Sequence, residues 1–213
     1  MVRPTVVATA LLATFAIMAV PGPASAAQAG WMTNGFMLSG SAALVTTAQV
    51  TEFAELDAAA TPIECLGSTV RMVQPIIVAP SGGSASSITF TECSSQVPNC
   101  EIGSPTISTP PVRLQEITLD GETKDTTFTI APQTKTIFAT IKYVGELCPL
   151  QSVQPITGKV KALSIFGGLE KPEHEISVKV SMESGELKAG SSPASLRLKA
   201  VLRATGTLTW SFL

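Results

Sequence analysis

The fold is decided by residues 196–212, which read LRLKAVLRATGTLTWSF. Apolar or small residues occupy the even-numbered positions, whereas Arg, Lys, Thr and Ser occupy most of the odd-numbered ones, with Val201 as the main exception. A period of two places alternate side chains on opposite faces of a β-strand. We therefore predict β-structure that buries one face. Because a single strand of this length would be unusual, we also predict a hairpin that turns near residues 204–206.

Shorter segments with the same alternation recur along the chain at 88–91, 126–130, 137–144 and 176–182. Clusters of Gly, Pro, Ser and Asp separate them. Short strands divided by such turns are typical of antiparallel sandwiches and barrels. We predict an all-β fold, an antiparallel β-sandwich, with a barrel as the alternative. The one helix candidate, 47–60, is rich in residues that favour strands, and the sequence favours a strand there.

The first 26 residues have the features of a secretory signal peptide. Arg3 provides a basic start, an apolar run occupies 6–20, and Ala24-Ser25-Ala26 is a small-residue cleavage site after Pro-Gly-Pro. The run is too short and too interrupted to span a membrane. We predict a signal peptide at 1–26, one domain at 27–213 that does not span a membrane, and a secreted or cell-envelope location.

Composition limits the classes of partner. The chain has 14 basic and 16 acidic residues, and aromatic residues make up only 5%. Nucleic-acid binding requires clustered Lys and Arg and usually aromatic stacking surfaces, so we predict no nucleic-acid partner. Charged residues make up only 14%, well below the roughly 25% that is typical of soluble domains. Few catalytic side chains are therefore available, and an extracellular structural or adhesive module suits this composition better than a metabolic enzyme.

The cysteines form an even set of four in a chain predicted to be secreted: Cys65, Cys93, Cys100 and Cys148. Two disulfides are expected, with three possible pairings. The residues between Cys93 and Cys100 suit a tight turn, which favours a Cys93–Cys100 bridge and, by elimination, Cys65–Cys148. No Cys-x-x-Cys spacing is present, so we do not predict a zinc site.

Few residues are candidates for catalysis. His174 is the only histidine and lies among charged neighbours, so we predict an exposed loop residue. No Gly-x-Ser-x-Gly motif nominates a serine nucleophile for it. The chain has enough carboxylates for a hydrolase that uses two of them, but the sequence does not distinguish any particular pair. They include Glu52, Glu55, Asp57, Glu64 and Glu92.

Two further groups have alternative interpretations. Residues 120–125, DGETKD, offer oxygen ligands for calcium, but Asp-Gly between two strand-like segments favours a hairpin turn. Trp31, Phe36, Trp210 and Phe212 offer a sugar-stacking platform, but Trp210 and Phe212 share the apolar face of the last strand, which favours core packing for those two. We predict no metal and no cofactor.

Several motifs resemble those of a group of uncharacterised secreted bacterial proteins. They are residues 39–45, the Glu64-Cys65-x-Gly67-Ser68 segment, residues 88–93, and Cys148-Pro149-Leu150 followed by Gly158. The resemblance covers most of the chain and extends to the leader, the cysteine pattern and the composition. It implies a bacterial cell-envelope or extracellular setting and no particular reaction or ligand.

The leading functional hypothesis is a non-enzymatic secreted or cell-envelope module with a structural, adhesive or surface-interaction role, whose partner is a cell-surface protein or glycan. The alternative is an extracellular carbohydrate or small-molecule binding domain, which an exposed Trp31 or Tyr143 on a concave face would favour. An outer-membrane barrel, suggested by the C-terminal alternation, and a hydrolase remain as further alternatives.

Overall fold

A computed structural model of the chain describes residues 29–48, 54–58, 61–65, 70–104, 106–134, 136–150, 153–181, 184 and 186–213. The predicted signal peptide at 1–26 and Glu52 lie outside these residues. The described residues form β-strands and no α-helix, so the all-β prediction is confirmed. The described parts of the helix candidate 47–60 are strands. Within this part of the chain, no helix has the length and apolar character needed to cross a membrane.

The strands of the first half of the chain are β1 (Trp31–Thr33), β2 (Phe36–Met37), β3 (Ser41–Ala48), β4 (Ala54–Ala58), β5 (Pro62–Cys65), β6 (Val70–Val73), β7 (Ile76–Val78), β8 (Gly82–Ala85), β9 (Ser87–Phe90), β10 (Cys93–Ser95), β11 (Glu101–Ile102) and β12 (Ile107–Ser108). Those of the second half are β13 (Val112–Leu119), β14 (Thr126–Pro132), β15 (Ile137–Val144), β16 (Val153–Gly158), β17 (Val160–Ser164), β18 (Glu173–Val180), β19 (Leu187–Ala189), β20 (Ser192–Ala204) and β21 (Trp210–Phe212).

Eight antiparallel strands close into a barrel. Their order is β3, β7, β8, β13, β14, β17, β18 and β20, and β20 then pairs back to β3. The chain therefore forms the barrel that the sequence left as the alternative, and the sandwich prediction is not confirmed. Alternation could not separate the two, because both folds bury one face of every strand. Closure leaves these strands without a free edge in the barrel.

The barrel has an apolar interior and an outer wall of mixed charged, polar and apolar side chains. Phe128 and Leu202 are buried, and neighbouring strands contribute aliphatic side chains at the same depth. At the alternate positions Lys161, Lys179 and Arg203 are exposed. An eight-stranded barrel is just wide enough for side chains to fill it, so this interior serves as the core.

Strand β20 belongs to two parts of the sheet. Its C-terminal half pairs with β3 inside the barrel, whereas its N-terminal half pairs with β4 and β19. The predicted hairpin near residues 204–206 is wrong: the chain turns after Ala204, but β21 pairs with β1 and not with β20. The long alternating stretch is thus one strand of 13 residues followed by a separate short one.

The N-terminal half of β20 carries the sheet beyond the barrel, in the order β10, β5, β4, β20, β19, β16, β15 and β11. We call this the extension. A separate three-stranded sheet, β12-β9-β6, contributes Met72, Ile88 and Phe90 to the same buried cluster. We call it the small sheet. Its strand β6 also approaches β3 of the barrel, through the hydroxyl of Thr46.

The N-terminal and C-terminal strands form a cap in the order β2-β1-β21. Trp31 donates a hydrogen bond from Nε1 to the Gly82 carbonyl at 2.6 Å, which ties the cap to barrel strand β8. The rings of Trp31 and Phe212 meet edge to face, with centroids 4.8 Å apart. Trp210 lies in the same cluster, so the core-packing prediction for Trp210 and Phe212 is confirmed.

Two buried hydroxyls, on Thr126 and Ser164, face each other across β14 and β17 and have no hydrogen-bond partner among the described residues. We expect Thr126→Val to raise the free energy of unfolding by about 1 kcal/mol, because an unpaired buried hydroxyl loses its hydration without compensation. Urea denaturation measures this. The matched control, Thr127→Val on the outer face, should change stability by less than about 0.5 kcal/mol. A destabilised Thr126→Val would contradict the prediction, since it would mean that the hydroxyl makes a bond.

Candidate binding groove

All four cysteines are bonded, but the predicted pairing is wrong. The bridges are Cys65–Cys93 and Cys100–Cys148, not Cys93–Cys100 and Cys65–Cys148. Antiparallel pairing of β5 with β10 places Cys65 directly opposite Cys93. Cys93 is therefore bonded to Cys65 and is not available to Cys100. Both bridges lie in or beside the extension, where they hold β5 to β10 and fix the segments that flank β11 and β15.

Residues 120–125 form the predicted hairpin turn between β13 and β14. The Asp120 carboxylate accepts hydrogen bonds from the backbone N–H groups of Thr123 at 2.7 Å and Glu122 at 2.9 Å. These bonds, that of Thr123 first, hold the pKa of Asp120 below its usual value. This carboxylate is occupied in closing the turn. Among the described residues, no three His, Cys, Asp or Glu side chains converge as metal ligands.

His174 is buried, which corrects the prediction of an exposed loop histidine. It lies in β18, where Glu173 and Glu175 point away and its own side chain points inward. Its ring packs against Phe166 and Trp210, with centroids 4.3 and 5.0 Å away. Nε2 lies 2.7 Å from the Trp210 carbonyl and Nδ1 lies 3.3 Å from the Ile165 carbonyl. A neutral imidazole has one N–H, and we place it on Nε2, which makes the shorter contact.

Burial lowers the pKa of His174, and hydrogen bonds to the Trp210 and Ile165 carbonyls partly offset this effect. We expect the free energy of unfolding to fall as the pH drops below about 6.5, because the unfolded chain takes up a proton that the folded imidazole refuses. The fall should end below the folded-state pKa. Urea denaturation between about pH 7.5 and 5 measures it, and His174→Gln should remove this slope. An unchanged slope in the variant would contradict the assignment.

Two carboxylates with lowered pKa do not interfere in that range. The pKa of Glu116 is lowered by hydrogen bonds from Lys159 and then Thr129, and the pKa of Asp120 is lowered by the turn. Both titrate below their ordinary values of 4.5 and 3.8. The stability that they contribute is lost only in stronger acid.

The remaining candidates share no described cleft. Trp31 and Tyr143 are buried, so neither presents a ring to a sugar, whereas Phe36 is 77% exposed on the cap. Glu64 and Glu92 are exposed, and the register of β4 with β5 places Glu55 opposite Glu64. Side chains of β4, which include Glu55 and Asp57, lie outside the description. The described residues therefore place no predicted aromatic or carboxylate in a common cleft.

A groove of about 480 Å³ lies outside the barrel, where β3 and the small sheet diverge. Its lining comprises residues 43–46 from β3 and residues 71–76 from β6, the connection and β7. We call it the β3–β6 groove. Its volume falls within the roughly 300–1,000 Å³ that is usual for small-molecule sites. Strands of two sheets build it, so its walls are held by regular backbone pairing on both sides.

The groove exists because the backbone pairing of β3 with β7 ends at Ala43, although β3 itself continues to Ala48. Ala43 is still in register with Ile76, and the Leu44 N–H donates to the Pro75 carbonyl at 2.7 Å. Two residues after Leu44, a side chain takes the place of the backbone hydrogen bonds between strands. Thr46 Oγ1 accepts a hydrogen bond from the Met72 N–H at 3.0 Å and donates one to the Met72 carbonyl at 3.3 Å. A hydroxyl between two strands keeps them farther apart than direct backbone bonds would.

The groove is mostly apolar and carries one cation among its described residues. Val45 and Val73 expose 42% and 38% of their surface beside the buried Leu44 and Met72. Arg71 is the one charged residue of the lining, and its guanidinium has no carboxylate partner among the described residues. An exposed cation beside exposed apolar side chains fits a ligand that has both an anionic group and an apolar part.

A small apolar space lies directly beneath the groove. Both are lined by Leu44, Met72, Pro75 and Ile76. The other walls of the space belong mostly to the barrel core and include Val112, Phe128, Ile130 and Leu202. Its volume is only about 10 Å³, no more than the room that a single water needs. The four shared residues therefore separate the groove from a filled barrel interior.

A second depression, of about 520 Å³, lies on the other side of Gln74 and Ile76. Its lining includes the hydroxyls of Ser84 and Ser86 and the amide of Gln133. The Ser86 hydroxyl already donates to the Gln74 side-chain carbonyl at 2.8 Å, and the Gln133 amide donates to the Val112 carbonyl at 3.1 Å. These polar groups serve the fold, so the β3–β6 groove is the stronger candidate.

Sequence reasoning singled out none of the groove residues for function. Arg71 and Val73 lie in an ordinary short strand, and nothing local signals that β6 leaves the barrel. Comparisons with family models, with curated proteins and with solved structures found no match to this chain.

Proposed function

We propose that the chain is a secreted or cell-envelope binding module that acts by surface interaction and not by catalysis, and that it holds its ligand in the β3–β6 groove. The observation that carries the proposal is this open groove between two sheets, with exposed Val45 and Val73 and an Arg71 that has no carboxylate partner in the described part of the chain. Neither a carboxylate nor a histidine is among the described residues that line it, so its chemistry suits recognition.

The framework supports this role. A closed barrel and two disulfides hold the surrounding strands, and a pre-formed groove loses little conformational freedom when it binds. Two disulfides also suit the extracellular setting that the leader at 1–26 predicts.

A small molecule or a protein segment fits the groove better than a carbohydrate does. Sugar sites are commonly built on exposed aromatic rings, but no aromatic residue is among the described residues of the groove, and Trp31, Tyr143 and Trp210 are buried. The exposed ring of Phe36 lies on the cap and does not line the groove.

Amide chemical shifts of the chain from residue 27 onward test the proposal. The probes are oligosaccharides, short peptides, and amphiphiles with anionic, cationic and uncharged heads. We expect at least one class to shift the amides of residues 43–46 and 71–76. Val45→Glu, on the groove wall, should weaken that binding about tenfold by placing a charge on an apolar surface. The control Val153→Glu, at an exposed valine of β16, should leave it unchanged. Shifts confined to other surfaces, or no shifts with any probe, would overturn the proposal.

A further inference from the structure

The β3–β6 groove combines one cation with exposed apolar side chains. We propose that the ligand is an anionic amphiphile, a molecule with a carboxylate and an alkyl chain, whose carboxylate pairs with Arg71 and whose chain lies along the groove over Val45 and Val73. This rests on the function proposed above and names the ligand class of the same site.

The carboxylate is assigned by charge. Arg71 is exposed at the groove and pairs with no carboxylate among the described residues, although the chain as a whole is acidic, with 16 acidic and 14 basic residues. A guanidinium presents donors in a fixed fork that matches the two oxygens of a carboxylate. An anion can therefore be held here without displacing an internal partner.

The alkyl chain is assigned by the lining. Beside Arg71 the groove exposes Val45 and Val73 next to the buried Leu44 and Met72. The space behind them is only about 10 Å³, so the chain stays in the groove, whose volume is about 480 Å³. An alkyl chain laid over the two valines removes apolar surface of both partners from water.

The site is unsuited to the other probe heads. A cationic head group would lie beside the Arg71 guanidinium, and repulsion between the two like charges opposes binding. An uncharged alcohol gains the apolar contact but lacks the ion pair. A ligand with a carboxylate and no chain gains only an exposed ion pair, which is worth little in water.

Isothermal titration of the chain from residue 27 onward with monomeric dodecanoate, hexanoate and dodecanol tests this. We expect dodecanoate to bind more tightly than hexanoate, because each buried methylene adds about 0.8 kcal/mol, roughly fourfold in affinity. Dodecanol should bind about tenfold more weakly than dodecanoate. Arg71→Gln should weaken dodecanoate about tenfold and leave dodecanol unchanged. The control Arg197→Gln, at an exposed arginine of the outer wall, should change neither.

Each alternative result overturns a named part. Equal binding of dodecanoate and dodecanol, or an inert Arg71→Gln, would refute the carboxylate. Equal binding of hexanoate and dodecanoate would refute the buried chain. If no dodecyl compound binds while another probe shifts the groove amides, this inference fails and the proposed binding function stands. Thermal unfolding of each variant confirms that it is folded.

Discussion

Gly158→Ala is expected to lower the free energy of unfolding by about 3 kcal/mol or more. Gly158 ends β16 with φ of 118°, a conformation that residues with a Cβ rarely adopt. An added Cβ would also overlap the backbone carbonyl oxygen of Glu186, which lies just before the neighbouring strand β19. That oxygen cannot yield, because it accepts a hydrogen bond from the Lys159 N–H at 3.2 Å. The backbone itself must shift.

The matched control is Gly121→Ala. Gly121 lies in the 120–125 turn, where an added Cβ has no heavy atom within 4 Å and φ is not in the left-handed region. We expect its stability to change by less than about 0.5 kcal/mol. Urea denaturation of both variants measures the difference. Equal effects would contradict the prediction, since the loss would then reflect glycine replacement in general and not the contact at Glu186.

Removing the Cys100–Cys148 bridge with the double variant Cys100→Ala/Cys148→Ala should cost about 4 kcal/mol. The two cysteines are 48 residues apart, and a bridge over a loop of that length removes much entropy from the unfolded chain. It also anchors the turn at Gly145, where the Cys148 N–H donates to the Gly145 carbonyl at 3.2 Å. Denaturation of the oxidised variant measures the loss.

The pairing is checked on the same samples. Digestion of the unreduced chain should release linked peptides that contain Cys65 with Cys93 and Cys100 with Cys148, and mass spectrometry identifies them. The double variant should retain the first linkage and lose further stability when a reductant is added. A peptide that joins Cys93 to Cys100 would contradict the observed pairing, as would a loss below about 1 kcal/mol.

Local patterns predicted the strands well, because alternation is a property of neighbouring residues. Ile176, Val178 and Val180 are buried as their spacing indicated, and the 120–125 turn lies where Asp-Gly placed it. The same alternation also indicates the burial of His174. Extending the even-numbered face of β18 by one step places His174 on the buried side, yet its charged neighbours led to the opposite prediction.

Pairings between distant segments could not be predicted in this way. The Cys93–Cys100 prediction was based on closeness along the chain. The Cys65–Cys93 bridge instead follows the register of β10 with β5, which pair within the extension. The β3–β6 groove has the same origin. It forms where the small sheet leaves the barrel wall, and the hydroxyl of Thr46 marks that point only once β6 has been placed beside β3.

The sharing of β20 between the barrel and the extension also constrains how the chain folds. Ala200 pairs with Ala48, so the barrel cannot close until a strand near the end of the sequence meets one near its beginning. The same strand must be placed before β4 and β19 can complete the extension. Topologies ruled by such distant pairings have high contact order and fold slowly, on the order of milliseconds to seconds. The barrel therefore cannot close before β20 is available, and truncation of that strand would leave β3 and β18 with open edges.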